Sequence, residues 1–184
     1  MFDIDLGKSS NKSKFWKLRN NVRVQPEPWG WPLARLGSRS PIILAEHVLA
    51  DRRGLDLGYV AASMDDQLYV PVYAAQGGEV AAALETSDGF AISIEHGSRS
   101  SITHYAHLSK MFVTPCVPKL RRRQYVRAGD VIGYTAKSPL HVRFELWRWD
   151  EAQGYVVSDA APELARWTKP LTSVDVRHLV SEAA

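Results

Sequence analysis

The stretch Leu140–Trp147 constrains the fold more than any other part of the chain. In it Val142, Phe144 and Leu146 alternate strictly with His141, Arg143, Glu145 and Trp147. A two-residue period places the apolar set on one face of a β-strand and the polar, aromatic set on the other. Such a strand needs a sheet with one face in the core and the other in water, where it presents an imidazole, a guanidinium, a carboxylate and an indole.

The same pattern runs through the middle of the chain. The apolar runs Leu68–Ala75, Glu79–Leu84, Phe90–His96 and Ser101–Leu108 are separated by turn signals such as Gly77-Gly78 and Ser87-Asp88-Gly89. Within Phe90–His96, Phe90, Ile92 and Ile94 alternate with Ala91, Ser93 and Glu95. Short runs joined by such turns predict an antiparallel β domain with hairpin connections. Upstream, Pro26, Pro28, Gly30 and Pro32 prevent a continuing helix or a central strand and mark the entry to that domain. Downstream of Asp150, Ala160–Trp167 and Ser173–Glu182 read as helices, the second introduced by Thr172 with Asp175 three residues on. The expected architecture is mainly β: an antiparallel sheet or sandwich with an open groove and short C-terminal helices. It comprises a basic arm over 1–24, a β domain over 25–150 and a helical extension over 151–184.

Composition narrows the chemistry. With 184 residues, 45% hydrophobic and 23% charged, the chain is of one-domain size and unlike disordered or coiled-coil sequences. Its single cysteine, Cys116, has no disulfide partner within the chain, and it rules out a four-thiolate zinc site. Any metal must therefore use His and carboxylate. The first residues lack the apolar stretch of a secretory signal, so the expected location is cytoplasmic, phage-derived or exported by a non-Sec route. Lys8, Lys12, Lys14, Lys17, Arg19 and Arg23 face only Asp3 and Asp5 in the arm, with Phe15, Leu18 and Val22 at helical spacing beside them. This arrangement suits contact with an anionic surface.

Five segments carry a more specific signal. They are Arg52-Arg53-Gly54-Leu55-Asp56; Pro71-Val72-Tyr73-Ala74 with Gly78-Glu79-Val80; Glu95-His96-Gly97 with Tyr105-Ala106-His107-Leu108; Val126–Gly133; and His141-Val142-Arg143-Phe144-Glu145. In this order they resemble the lysostaphin or LytM type of zinc endopeptidase, which cuts the peptide cross-links of bacterial peptidoglycan. The resemblance implies that fold, with zinc ligands at Arg52, Asp56 and Arg143 and catalytic histidines at His107 and His141. Only Asp56 of the three ligand positions keeps a metal-binding residue type. A guanidinium stays protonated and has no lone pair to offer, so no metal is expected at this degenerate site and no cofactor is implied.

The charge is nevertheless conserved. A zinc dication with two neutral His and one Asp carries the same net charge as two Arg and one Asp, so Arg52 and Arg143 are expected to flank Asp56 as an ion-pair cluster. The retained residues predict a binding groove, with Tyr105 and His107 on one strand face and His141, Glu145 and Trp147 on another. The chain differs from the pattern also in its short Tyr134–Pro139 loop and in an inserted hairpin, Met111–Arg127, carrying Arg121-Arg122-Arg123. The leading expectation is a catalytically degenerate binding, regulatory or structural module. Its partner would be peptidoglycan, a cell-wall or envelope protein, or a phage-assembly protein. The alternative is an active zinc endopeptidase with its metal displaced onto Asp56, His107 and His141, with His47 or His104 as further ligands.

Overall fold

The computed structural model describes residues 29–36, 39–49, 52–59, 69–97, 100–117, 124–135, 141–167 and 173–174. The basic arm, the arginine triplet and the loop before His141 lie outside the described residues, as does most of the second predicted helix. Among the described residues, no helix is long and apolar enough to cross a membrane.

The strands are β1 (Arg35–Leu36), β2 (Ile42–Leu49), β3 (Arg52–Gly58), β4 (Pro71–Tyr73), β5 (Gly78–Thr86), β6 (Gly89–His96), β7 (Ser101–Met111), β8 (Tyr125–Val126), β9 (Val131–Thr135), β10 (His141–Asp150), β11 (Gly154–Ser158) and β12 (Ser173–Val174). One helix, α1 (Ala161–Arg166), follows β11. A ten-stranded sheet runs β2-β3-β10-β7-β6-β5-β8; β11 pairs with β10, and β9 pairs with β4 and β7. All its ladders are antiparallel, as the hairpin signals predict. The turn Ser87-Asp88 closes the β5–β6 hairpin. Gly89 after it has φ +105°, and a Cβ there would lie 2.4 Å from the Leu108 carbonyl oxygen.

The alternation read in the sequence sorts the two faces of β10. Val142, Phe144 and Leu146 are buried with Leu57, Ile92, Ile94, Tyr105 and Leu108 in one core, while His141, Arg143, Glu145 and Trp147 lie on the opposite face. Strand β10 is also the point where three neighbours meet. Its first half pairs with β3, its second half with β11, and its other edge with β7.

The change to helix does not fall at residue 151. Trp147–Asp150 and Gly154–Val157 form a hairpin that extends the sheet past that point. The α1 segment then packs Leu164 and Trp167 into the same core. Trp31 donates its indole N–H to the Leu164 carbonyl at 3.0 Å, and the Trp29 and Trp167 rings stack at 4.7 Å. Residues 151–167 are therefore part of the β unit rather than a separate extension. The helix expected from Ser173 is also corrected at its start: Ser173–Val174 runs parallel to Arg35–Leu36 as a strand. Backbone groups of β1 offer partners to that segment, and tertiary pairing overrides a weak capping signal.

Candidate functional site

Asp56 is the centre of the site. It lies on β3 directly opposite Arg143 of β10 and opposite Ala45 of β2. Arg143 donates Nε–H to Asp56 Oδ1 at 3.1 Å. His47 of β2 is the register partner of Gly54, so it reaches Asp56 diagonally, with Nε2 2.6 Å from Oδ2. Gly54 lies beside this arrangement, and a Cβ there would make ordinary contact with the Glu145 Cγ at 3.4 Å and the Arg143 Cδ at 3.5 Å. Burial works against ionisation of Asp56, but the hydrogen bonds from Arg143 and His47, with the Arg143 and His141 fields, outweigh it and hold the carboxyl below its usual range.

The two histidines are brought together. His107 Nδ1 and His141 Nε2 share a hydrogen bond at 2.9 Å, and the His141 Nε2 is 3.9 Å from Asp56 Oδ2. Burial lowers the pKa of His141. Asp56 opposes that shift, while His107, Arg143 and His47 add to it. His107 owes its position to backbone geometry. Strand β7 pairs with β10 through Ala106 and with β9 from Leu108, and His107 between them adopts φ +61°, the left-handed region. That bulge turns Ala106 and His107 both towards the groove and returns Leu108 to the core.

The same bulge corrects the reading of Tyr105. Parity alone placed Tyr105 and His107 on one face, but the extra residue breaks the period. Tyr105 is fully buried, and its hydroxyl accepts the Ala75 N–H at 2.8 Å. Burial pushes its pKa up to about 12. Tyr105 is a core residue and contributes nothing to a ligand surface.

Glu145 and Trp147 do share the wet face. Glu145 is buried in the groove wall and accepts the Trp147 indole N–H on Oε2 at 3.0 Å. Arg52 is at the start of β3, opposite Leu49, but its side chain lies outside the described residues. The expected cluster is therefore described as Asp56 with Arg143, and its second strong partner is His47, which the sequence marked only as a further metal candidate. The sequence marked His104 only as a further metal candidate and did not pair it with Ser93; on β6 and β7 the two lie with Oγ and Nδ1 2.9 Å apart. They face the same groove of about 280 Å³, whose walls include His47, Arg143, Glu145 and small residues such as Ala82 and Ala91. Their signal was the alternation in Phe90–His96, which puts Ser93 opposite the core set.

The zinc set implied by the resemblance does not fit these residues. Arg143 occupies one ligand position with its guanidinium turned onto the carboxylate, and Arg52 stands at another. No chemical step is assigned to a metal held by that set.

The fold is thus an antiparallel sheet whose groove carries a pair of bonded histidines and an aspartate on adjacent strands. The chain belongs to Peptidase family M23, whose model matches residues 53–156. Comparison with curated proteins gave no match. Among solved structures, it is similar to lysostaphin in solution, with 17% identity over 79% of this chain and 58% of that one and a TM-score of 0.51. It is also similar to a chain of the SpoIIIAH–SpoIIQ complex, with 20% identity over 72% of this chain and 96% of that one and a TM-score of 0.50. A zinc-containing peptidase from Vibrio cholerae matches at 21% identity over 73% of this chain and 41% of that one, with a TM-score of 0.45. The chain thus spans 58% and 41% of the lengths of lysostaphin and the Vibrio enzyme.

Proposed function

We propose that this chain is a catalytically degenerate M23 domain that binds peptidoglycan or a protein partner in its groove without cutting it. The observation that carries this reading is the Arg143 Nε–H bonded to Asp56 Oδ1 at 3.1 Å. A cation that cannot coordinate stands where the family resemblance calls for a histidine ligand, and without that zinc the groove lacks its means of making hydroxide near neutral pH. The groove-facing Glu145, Ser93 and His104, with the neighbouring Trp147, supply hydrogen bonds and an aromatic edge suited to orienting a ligand. The fold accommodates either use: lysostaphin is described as an antimicrobial peptidase, and SpoIIQ was solved in complex with another protein. Residues 1–24, basic in sequence, are assigned in this reading to an anionic surface.

The test pairs a pull-down on purified peptidoglycan and on lysate with turbidity and muropeptide assays. Wild type should bind, and neither it nor a His107→Ala, His141→Ala double variant should release muropeptides. Cross-link cleavage by wild type that disappears in the double variant would overturn the non-catalytic reading. A second reading, an active endopeptidase with a displaced metal, is favoured by the convergence of Asp56, His107 and His141. It commits to metal binding the two histidines that the resemblance assigns to catalysis.

A further inference from the structure

Four of the chain's six histidines, His47, His104, His107 and His141, gather in or beside one groove together with the carboxylates of Asp56 and Glu145. Neutral imidazoles beside carboxylates are the donor set of a borderline divalent metal rather than of an anion. Within this group, one donor atom from each of Asp56, His107 and His141 lies within 4.8 Å of the others.

The distances favour a tetrahedral ion. Zinc bonded at about 2.0–2.1 Å to each donor separates neighbouring donors by about 3.3 Å. The observed spacings of 2.9 Å between His107 Nδ1 and His141 Nε2 and 3.9 Å between His141 Nε2 and Asp56 Oδ2 straddle that value. The third pair, His107 and Asp56, lies within 4.8 Å, so the donors close on the ion by at most about 1.5 Å.

The support around the trio is also that of a metal site. The donors come from three different strands, β3, β7 and β10, in which β10 pairs with both others. Arg143 fixes Asp56 through Oδ1 and leaves Oδ2 directed at the histidines, as an outer hydrogen-bond donor orients a ligating carboxylate. His47, on that same Oδ2, has a side chain 38% exposed. His107 is held in the left-handed region, a conformation that costs a non-glycine residue and tends to persist at functional positions.

We infer that Asp56, His107 and His141 form a divalent transition-metal site distinct from the family's ligand set, sharing with it only Asp56. Three protein donors leave one coordination position, which a carboxylate or imidazole of a bound partner can take. Because both family catalytic histidines become ligands, the metal ties three strands together and anchors a ligand instead of activating water beside a free base. This inference stands independently of the non-catalytic reading.

The experiment uses the full chain stripped by chelator and then titrated with Zn(II) and with Co(II), followed by calorimetry and by visible absorption. Wild type should take up one equivalent, with the d–d bands of four-coordinate cobalt, and should melt at a higher temperature with metal than without. His141→Ala and His107→Gly should each weaken binding at least tenfold, equivalent to about 1.4 kcal/mol. His107→Gly suits the left-handed backbone and keeps the fold, so its loss of affinity reports on the missing imidazole. His104→Ala, in the same groove but outside the trio, should keep the wild-type cobalt spectrum. No binding by wild type tighter than about 100 µM, or binding unchanged in both His107→Gly and His141→Ala, overturns the site. Muropeptide release by zinc-loaded protein would instead defeat the non-catalytic reading and leave the site standing.

Discussion

Replacing Asp56 by alanine removes one carboxylate from two partners at once, the Arg143 Nε–H at 3.1 Å and the His47 Nε2 at 2.6 Å. Breaking a fully buried ion pair from one side costs about 3–5 kcal/mol, because the remaining charge stays buried. Breaking a surface pair costs about 1 kcal/mol or less. The Asp56 side chain is 13% exposed and that of Arg143 27%, so the freed guanidinium partly recovers water and the expected loss is about 2–3 kcal/mol. For a chain of this size that corresponds to a fall in Tm of roughly 4–12 °C. Urea unfolding followed by tryptophan fluorescence measures it, with the midpoint falling at constant slope. Asp56→Asn keeps an acceptor for Arg143 and should lose only about half as much. A loss below about 0.5 kcal/mol for alanine would refute the reasoning, since it would mean that Arg143 and Asp56 are effectively solvated.

Leu164→Ala should cost about 2–5 kcal/mol in the same assay, because Leu164 is fully buried and its loss leaves a cavity in the core. His107→Gly should hold or raise stability while His107→Val falls about 1–2 kcal/mol below it, because φ +61° suits glycine and excludes a β-branched residue; equal stabilities would count against the bulge. Stability should also fall on mild acidification. Burial lowers the His96 pKa despite the Gly77 carbonyl and the Glu95 charge, so its contribution is whole above the unfolded value of about 6.5 and is lost as pH drops through the folded value. His96→Gln should flatten that acid limb in denaturation curves, and an unchanged slope would remove His96 as its cause.

Much of the fold was legible because it rests on local period and turns. The two faces of β10, the Ser87-Asp88 hairpin and the helix around Leu164 follow from residues a few positions apart. The candidate site was legible in its members but less so in its geometry. Motif spacing named Asp56, Arg143, His107 and His141, whereas the link from His47 to Asp56 depends on how β2 registers against β3, a long-range property. Tyr105 was misplaced because one left-handed residue two positions later shifts the phase, and the local alternation does not mark where that residue falls. Ser173–Val174 was misread because its partner, Arg35–Leu36, is far away in sequence.

That remote pairing sets an order of events for the newborn chain. Trp31 and the Leu164 carbonyl it bonds are 133 positions apart, and Trp29 stacks on Trp167, still later in the chain. At a synthesis rate of about 5–20 residues per second, the two early indoles wait roughly 7–27 seconds before these partners are made. During that interval the sheet can assemble hairpin by hairpin from local contacts, which are quick to form, while one edge of its core stays uncovered. The segment Ala160–Trp167 then acts as a latch that closes behind translation, and nascent chains arrested before it would be the ones that chaperones hold longest.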